Sequence, residues 1–285
     1  MLRQLYRQLP LPENIRQWIS SHLPEGIRRE PQLRAYGVIN DLYLWRTDSG
    51  IDTIAPIQNF FSALFPHLDT ATRGHVWFFD QAGQPISEHS FELPHMGFHE
   101  LRLSDFVPTD SYGSFMWHIR MPDSVADDPR VKDGRVYFTD RGYICFEKDK
   151  CQPAFMHGID RYSVFQKQAV EEYDHFYSTD INRTWLAEFP LSVDMQVKTD
   201  IVLINRSSVP RKYELSIYQS GHDLLSHREI NVASRGIGIF TVTQNDISRL
   251  GTEQGYFSVK GIPTPWGRPA IMRHFKSGAI SVMHC

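Results

Sequence analysis

Tyr213-Glu214-Leu215-Ser216-Ile217-Tyr218, followed by the turn Gln219-Ser220-Gly221, alternates its side chains with a period of two. Tyr213, Leu215 and Ile217 fall on one side and Glu214, Ser216 and Tyr218 on the other, which is the pattern of a strand with one buried face. Its neighbours repeat the theme. Leu203-Ile204-Asn205 closes an apolar run before it, Leu224 to Val232 returns after the turn, and Ile237, Ile239 and Thr241 share a face in the next run. Short alternating strands with turns every roughly eight to twelve residues predict antiparallel sheets packed as a sandwich.

The same order occurs in the first half. Ile57-Gln58-Asn59 closes an apolar run, His75-Val76-Trp77-Phe78-Phe79-Asp80 precedes a Gln-Ala-Gly turn, Ile86 to Leu93 returns, and Glu100 to Asp105 follows. Each copy closes on a Pro-Ala-apolar-Met run carrying a histidine: Pro153 to His157, and Pro269 to His274. A repeated unit must bury its own apolar face. The expectation is therefore a mostly β chain of two tandem antiparallel β-sandwich units behind a short helical N-terminus. The helical segment covers residues 1–34, where Leu2, Leu5, Tyr6 and Leu9 recur at helical spacing until Pro10 and Pro12 break the run. The first sandwich, with insertions at 62–72 and 121–137, takes residues 35–165, and the second takes 185–285. Lys167 to Asn182 holds neither Gly nor Pro and reads as a helix or irregular connector. Asp48-Ser49-Gly50 reads as a hairpin turn.

Composition narrows the function classes. A net charge of −3 over 285 residues argues against a nucleic-acid platform. No run approaches the ~18–20 apolar residues of a membrane span, and Arg3 and Arg7 lead into no apolar signal core. Both point to the cytoplasm. Three cysteines fit a reducing compartment. Cys145 and Cys151 flank a polar turn whose spacing suits a hairpin disulfide or half a metal site, with two independent thiols as the favoured reading. Sheet edges make a homo-oligomer one further expectation.

Leu203-Ile204-Asn205, Glu214 to Tyr218 and Pro269 to His274 together resemble the β-sandwich unit of the sensory rhodopsin transducer family. The resemblance covers Asp200 to Cys285. The first copy departs from it through its insertions, and its histidine stands one position closer to the proline, on the opposite strand face. What the resemblance implies is a partner-binding sandwich, with sugars or other ligands as suspected occupants, and not an enzyme. No rhodopsin-specific element is carried over.

Three groups of residues offer chemistry. His95, His99 and Glu100 crowd one turn and could ligate a divalent metal, although Pro94 and Gly97 deny the two histidines a helix on which four-residue spacing brings ligands together. His157, Asp160 and Arg161 offer a base, its orienting acid and a guanidinium fork; with His274 they would form a catalytic site between the two copies. Trp266 and Arg268 on a proline-bounded loop, with Arg273 and Tyr162, offer a surface for a small molecule or glycan. Trp45, Trp77, Trp117 and Trp185 are further stacking candidates, Trp77 and Trp117 reading as core. Among these positions no phosphate-cradling glycine loop, Gly-x-Ser-x-Gly elbow or Cys-x-x-Cys pair occurs. The favoured reading is a non-enzymatic binding or assembly module for a small molecule, glycan or protein partner. The alternative is an enzyme, with or without a metal, using the His/Asp/Arg site.

Overall fold

The structure, a computed structural model, describes residues 37–39, 42–132, 142–149, 151–158, 162–164, 176–178, 185–191, 196–207, 209–219, 222–249, 255–262 and 268–284. The expected N-terminal helix, Asp160, Arg161, Trp266 and Cys285 lie outside the described residues. Strands of the first part are β1 (Gly37–Ile39), β2 (Tyr43–Arg46), β3 (Ile51–Gln58), β4 (Thr72–Asp80), β5 (Pro85–Leu93), β6 (Phe98–Arg102), β7 (Tyr112–Arg120), β8 (Tyr143–Lys148) and β9 (Ala154–His157). β10 (Tyr162–Val164) and β11 (Phe176–Ser178) pair with each other, so a strand stands inside the stretch read as a helix or irregular connector. The second part holds β12 (Trp185–Leu191), β13 (Gln196–Ile204), β14 (Arg211–Tyr218), β15 (Leu224–Val232), β16 (Ile237–Thr243), β17 (Gly255–Ile262), β18 (Ala270–Phe275) and β19 (Ile280–His284).

The chain is mostly β, and its four larger sheets are antiparallel. Strand order is β1-β7-β4-β5, with β2 also on β7, and β6-β3-β8-β9 in the first part; it is β12-β17-β14-β15 and β16-β13-β18-β19 in the second. The second pair of sheets repeats the first with each strand from β3 to β9 advanced by ten. The two Pro-Ala-apolar-Met runs are not equivalent, because among the described residues β9 is an outer strand bonded to β8 alone, whereas β18 lies between β13 and β19. β9 matches β19, so the position of His157, opposite Tyr143, corresponds to His284, opposite Ala270. Hydrogen-bond partnership decides this, and a four-residue likeness does not report it.

Two buried asparagines hold corresponding corners. Asn59 Nδ2 donates to the carbonyls of Thr70, Leu93 and Pro94, and Asn205 Nδ2 to those of Val209, Val232 and Ala233. The Asn59 amide donates to Gly97 O and the Asn205 amide to Gly236 O, both at 3.0 Å. Each side chain thus ties the end of one strand to the turn leaving the opposite sheet, satisfying carbonyls that burial would otherwise leave costly.

Alternation is as read: Tyr213, Leu215 and Ile217 are buried, with Glu214, Ser216 and Tyr218 facing out. The sheet built on β13 is apolar on both faces. Ile201, Leu203, Phe240, Val242 and Ile271 line the second core. Val202, Ile204, Ile237, Ala270, Met272, Ile280 and Val282 join the core of the first part. The two sandwiches therefore meet across that sheet. Trp45 is buried, its indole donating to Phe79 O at 2.9 Å and Ser114 O at 3.1 Å, which removes it from the stacking candidates. Trp77 and Trp117 are core, as read. Asp48-Ser49-Gly50 forms the turn into β3, with Ser49 and Gly50 at positive φ.

Candidate functional site

The proposed metal ligands do not converge. Strand alternation puts His99 and Glu100 on opposite faces of β6. His99 turns into the seam and stacks on Phe91 at 4.6 Å, where burial and then the charge of His89 push its pKa down. His95 stands exposed in the turn, its Nδ1 2.9 Å from the Thr70 hydroxyl. Among the described residues no group of three His, Cys, Asp or Glu side chains is placed to hold a metal ion. Cys145 and Cys151 are free thiols.

Of the catalytic candidates, His157 and His274 fall among the described residues. His157, half-buried at the end of β9, bonds through Nδ1 to Gly158 O at 2.7 Å. His274 lies in β18 with 2% of its surface exposed, and its Nε2 donates to Asp200 Oδ2 at 2.9 Å. Of the ligand candidates, Arg268 is exposed just before β18, Arg273 is half-buried on the face of β18 opposite His274, and Tyr162 opens β10 across from Ser178.

Asp200 was absent from the sequence candidates. It is 1% exposed and sits where the sandwiches meet. Arg46 of β2 donates to its Oδ2 at 2.8 Å and forks onto Asp48 through Nε and Nη2. Thr241 Oγ1 donates to Oδ1 at 2.8 Å, and Lys198 Nζ lies 3.5 Å from Oδ2. Burial alone would push the Asp200 carboxyl up; hydrogen bonds from His274 and Arg46, the Arg46 charge and Thr241 outweigh it and hold the carboxyl well below the usual range. Every oxygen faces a donor from a neighbouring strand, and the group is closed to solvent. This is the chemistry of a structural joint.

An open surface lies elsewhere, on the outer face of the β12-β17-β14-β15 sheet. Register places three rows across it: Leu186, Lys260, Glu214 and Glu229; then Glu188, Ser258, Ser216 and His227; then Pro190, Tyr256, Tyr218 and Leu224. Tyr218 and Tyr256 stack at 4.8 Å with 13° between planes. His222 Nδ1 lies 2.7 Å from the Tyr256 hydroxyl, whose pKa is pushed up by local desolvation and then by the charges of Glu188 and Tyr218. On the far row Lys260 reaches Glu214 at 3.4 Å and Lys212 reaches Glu229 at 2.8 Å. Between these rows, Ser216 Oγ meets His227 Nδ1 at 3.0 Å. His227 Nε2 stands 3.8 Å from Glu229, beyond hydrogen-bonding distance. The outward set was readable in part, since Glu214, Ser216 and Tyr218 alternate with the core residues. Their meeting with Glu188, Tyr256 and Ser258 was not.

No family model and no curated protein matches the chain. Among solved structures it is similar to a glycosyl hydrolase family 2 member from Bacteroides cellulosilyticus, at 10% identity and TM-score 0.19 over 85% of this chain and 25% of that one. It is similar also to a putative beta-galactosidase from Bacteroides fragilis, at 7% identity and TM-score 0.21 over 86% and 31%. Arthrobacter globiformis T6 isomalto-dextranase complexed with panose stands at 8% identity and TM-score 0.23 over 82% and 34%. The chain thus spans about a quarter to a third of those proteins' length. Likeness at these TM-scores carries no argument about function.

Proposed function

We propose that the chain is a non-enzymatic binding module whose β12-β17-β14-β15 face takes a saccharide. The observation that carries this reading is the three-row face. Glu188, Ser258, Ser216 and His227 run between the Tyr218–Tyr256 pair and the Lys260–Glu214 row. A sugar ring offers apolar C–H faces and a fringe of hydroxyls that both donate and accept. Tyrosine rings suit the first, while serine hydroxyls, carboxylates, imidazole and ammonium suit the second. An open sheet face admits an extended chain rather than a single enclosed small molecule. The commitment of His274 to Asp200 weighs against the alternative enzyme built on His157, Asp160, Arg161 and His274.

Native gel electrophoresis through soluble dextran, xylan, galactan and glucomannan tests this. One of the polysaccharides should retard the chain. Tyr218→Ala with Tyr256→Ala should weaken that retardation at least about tenfold, the equivalent of ~1.4 kcal/mol, while the circular dichroism spectrum stays unchanged. Mobility indifferent to all four, or retardation that survives the double substitution, overturns the reading.

A further inference from the structure

The β6-β3-β8-β9 sheet of the first sandwich corresponds to the β16-β13-β18-β19 sheet of the second. In the second sandwich the outer face of that sheet is buried against the first, through Val202, Ile237, Ala270, Met272 and Val282. In the first sandwich the corresponding face keeps Ile54 and Cys145 buried at its centre and exposes three rings around them. Aligning the two through Asn59 and Asn205 puts Phe98 at the place of Ile237, Tyr143 at that of Ala270, and Phe155 at that of Val282. These three are 65%, 57% and 60% exposed. Around them stand Asp52, Glu100, Arg102 and Glu147, and Arg102 bridges Asp52 at 3.0 Å and Glu147 at 3.1 Å. Phe98 and Phe155 stand on the outer strands β6 and β9 and Tyr143 on β8, beside the Asp52–Arg102–Glu147 bridge, so exposed rings and charges alternate over the face.

The occupant follows from what the internal joint requires. To cover the second sandwich, the first presents its β4–β5 turn and the start of β7. Gly83 lies so near Ser234 that a Cβ there would stand 2.0 Å from the Ser234 carbonyl, and the Ser114 hydroxyl donates to Arg235 O. The matching turn of the second sandwich carries His222 in the Gly83 slot, at φ 66° against 75°, and Tyr256 in the Ser114 slot. Bulk at both points bars a second copy from repeating the joint head to tail.

We infer that the outer face of the β6-β3-β8-β9 sheet binds the same face of a second copy, making a closed two-fold dimer. Sheets packed face to face run nearly aligned, and a two-fold axis along the strands between β3 and β8 exchanges the ends of every row. Glu100, Pro56, Tyr143 and His157 form one row; Arg102, Ile54, Cys145 and Phe155 form the next. The exchange sets Glu100 against the partner's His157, Tyr143 against the partner's Pro56, and Phe155 against the partner's Arg102. Carboxylate meets imidazole and ring meets guanidinium, so the face is its own complement.

Sedimentation equilibrium of the full chain decides the matter. A dimer is expected at concentrations up to ~100 µM, above the micromolar end of dissociation constants for standard-size interfaces. Phe155→Glu with Tyr143→Glu should return it to monomer while the far-ultraviolet circular dichroism spectrum stays that of the parent, since both side chains are exposed. Glu100→Lys should weaken association, and adding His157→Glu should restore it. A monomer across the whole range, a dimer that persists in the Phe155/Tyr143 variant, or mass climbing past two copies overturns the inference. Polysaccharide retardation concerns the other sandwich and is expected to survive these substitutions.

Discussion

Replacing Asp200 with Asn keeps the volume of the side chain and removes its charge, so any loss of stability reports electrostatics and not a cavity. The residues left behind are Arg46, 3% exposed, and His274, 2% exposed. Removing one member of a buried ion pair typically costs about 3–5 kcal/mol. Arg46 retains Asp48 at 2.6 Å, which places the expected loss at the low end, about 3 kcal/mol. Urea unfolding at 25 °C, followed by far-ultraviolet circular dichroism, measures it through the midpoint at unchanged slope. The pH dependence gives a second reading of the same group. The Asp200 carboxyl is held below its ordinary value in the folded state. Its contribution is therefore complete above the unfolded value of about 3.9 and is lost as pH falls from there through the folded value. At pH 2.5 the gap between the parent and Asp200→Asn should have narrowed by about 2 kcal/mol, from ~1.36 kcal/mol per pH unit below 3.9. Carboxyl groups that do not share Arg46 with Asp200 are common to both proteins and cancel. Equal midpoints at pH 7, or a gap of the same size at pH 2.5, would refute the assignment of Asp200 as the charged joint between the sandwiches.

Two further expectations concern the corresponding corners. Asn205→Ala and Asn59→Ala each abandon three carbonyls, buried or part-buried, and should each lower stability by about 2–4 kcal/mol, at ~1 kcal/mol per bond with desolvation added; thermal melts showing less than half of this would deny them their tying role. Gly83→Ala should loosen the joint, because the new Cβ meets Ser234 O and the backbone is at φ 75°. His222→Gly, in the matching but open turn, should stay within about 0.5 kcal/mol of the parent. Faster amide exchange in β2 and β13 for the first variant only is the result to look for, and equal exchange in both would deny the tight approach at Gly83.

The sequence by itself determined the strands and their faces. Tyr213, Leu215 and Ile217 go inward because successive strand side chains point to opposite sides, a relation confined to neighbours along the chain. In the structure the strand order of β3 to β9 recurs in β13 to β19, with Asn59 and Asn205 closing matched apolar runs. The double-sided apolar stretch Ile201-Val202-Leu203-Ile204 held a sign of inter-sandwich burial, since a sheet with one open face leaves alternate positions polar. Tertiary structure alone decided the rest. It set β9 at an edge and β18 inside, through hydrogen bonds that a Pro-Ala-apolar-Met likeness does not encode. It joined Asp200 to Arg46, 154 residues away, and to His274, and it separated His99 from Glu100. It also left one face of each sandwich open while closing another. Such outcomes depend on how two finished surfaces fit, where a glycine in one turn and a histidine in its counterpart set which approach is allowed. Local periodicity carries no information about that fit, because docking acts on residues distant along the chain and only after each sheet has formed.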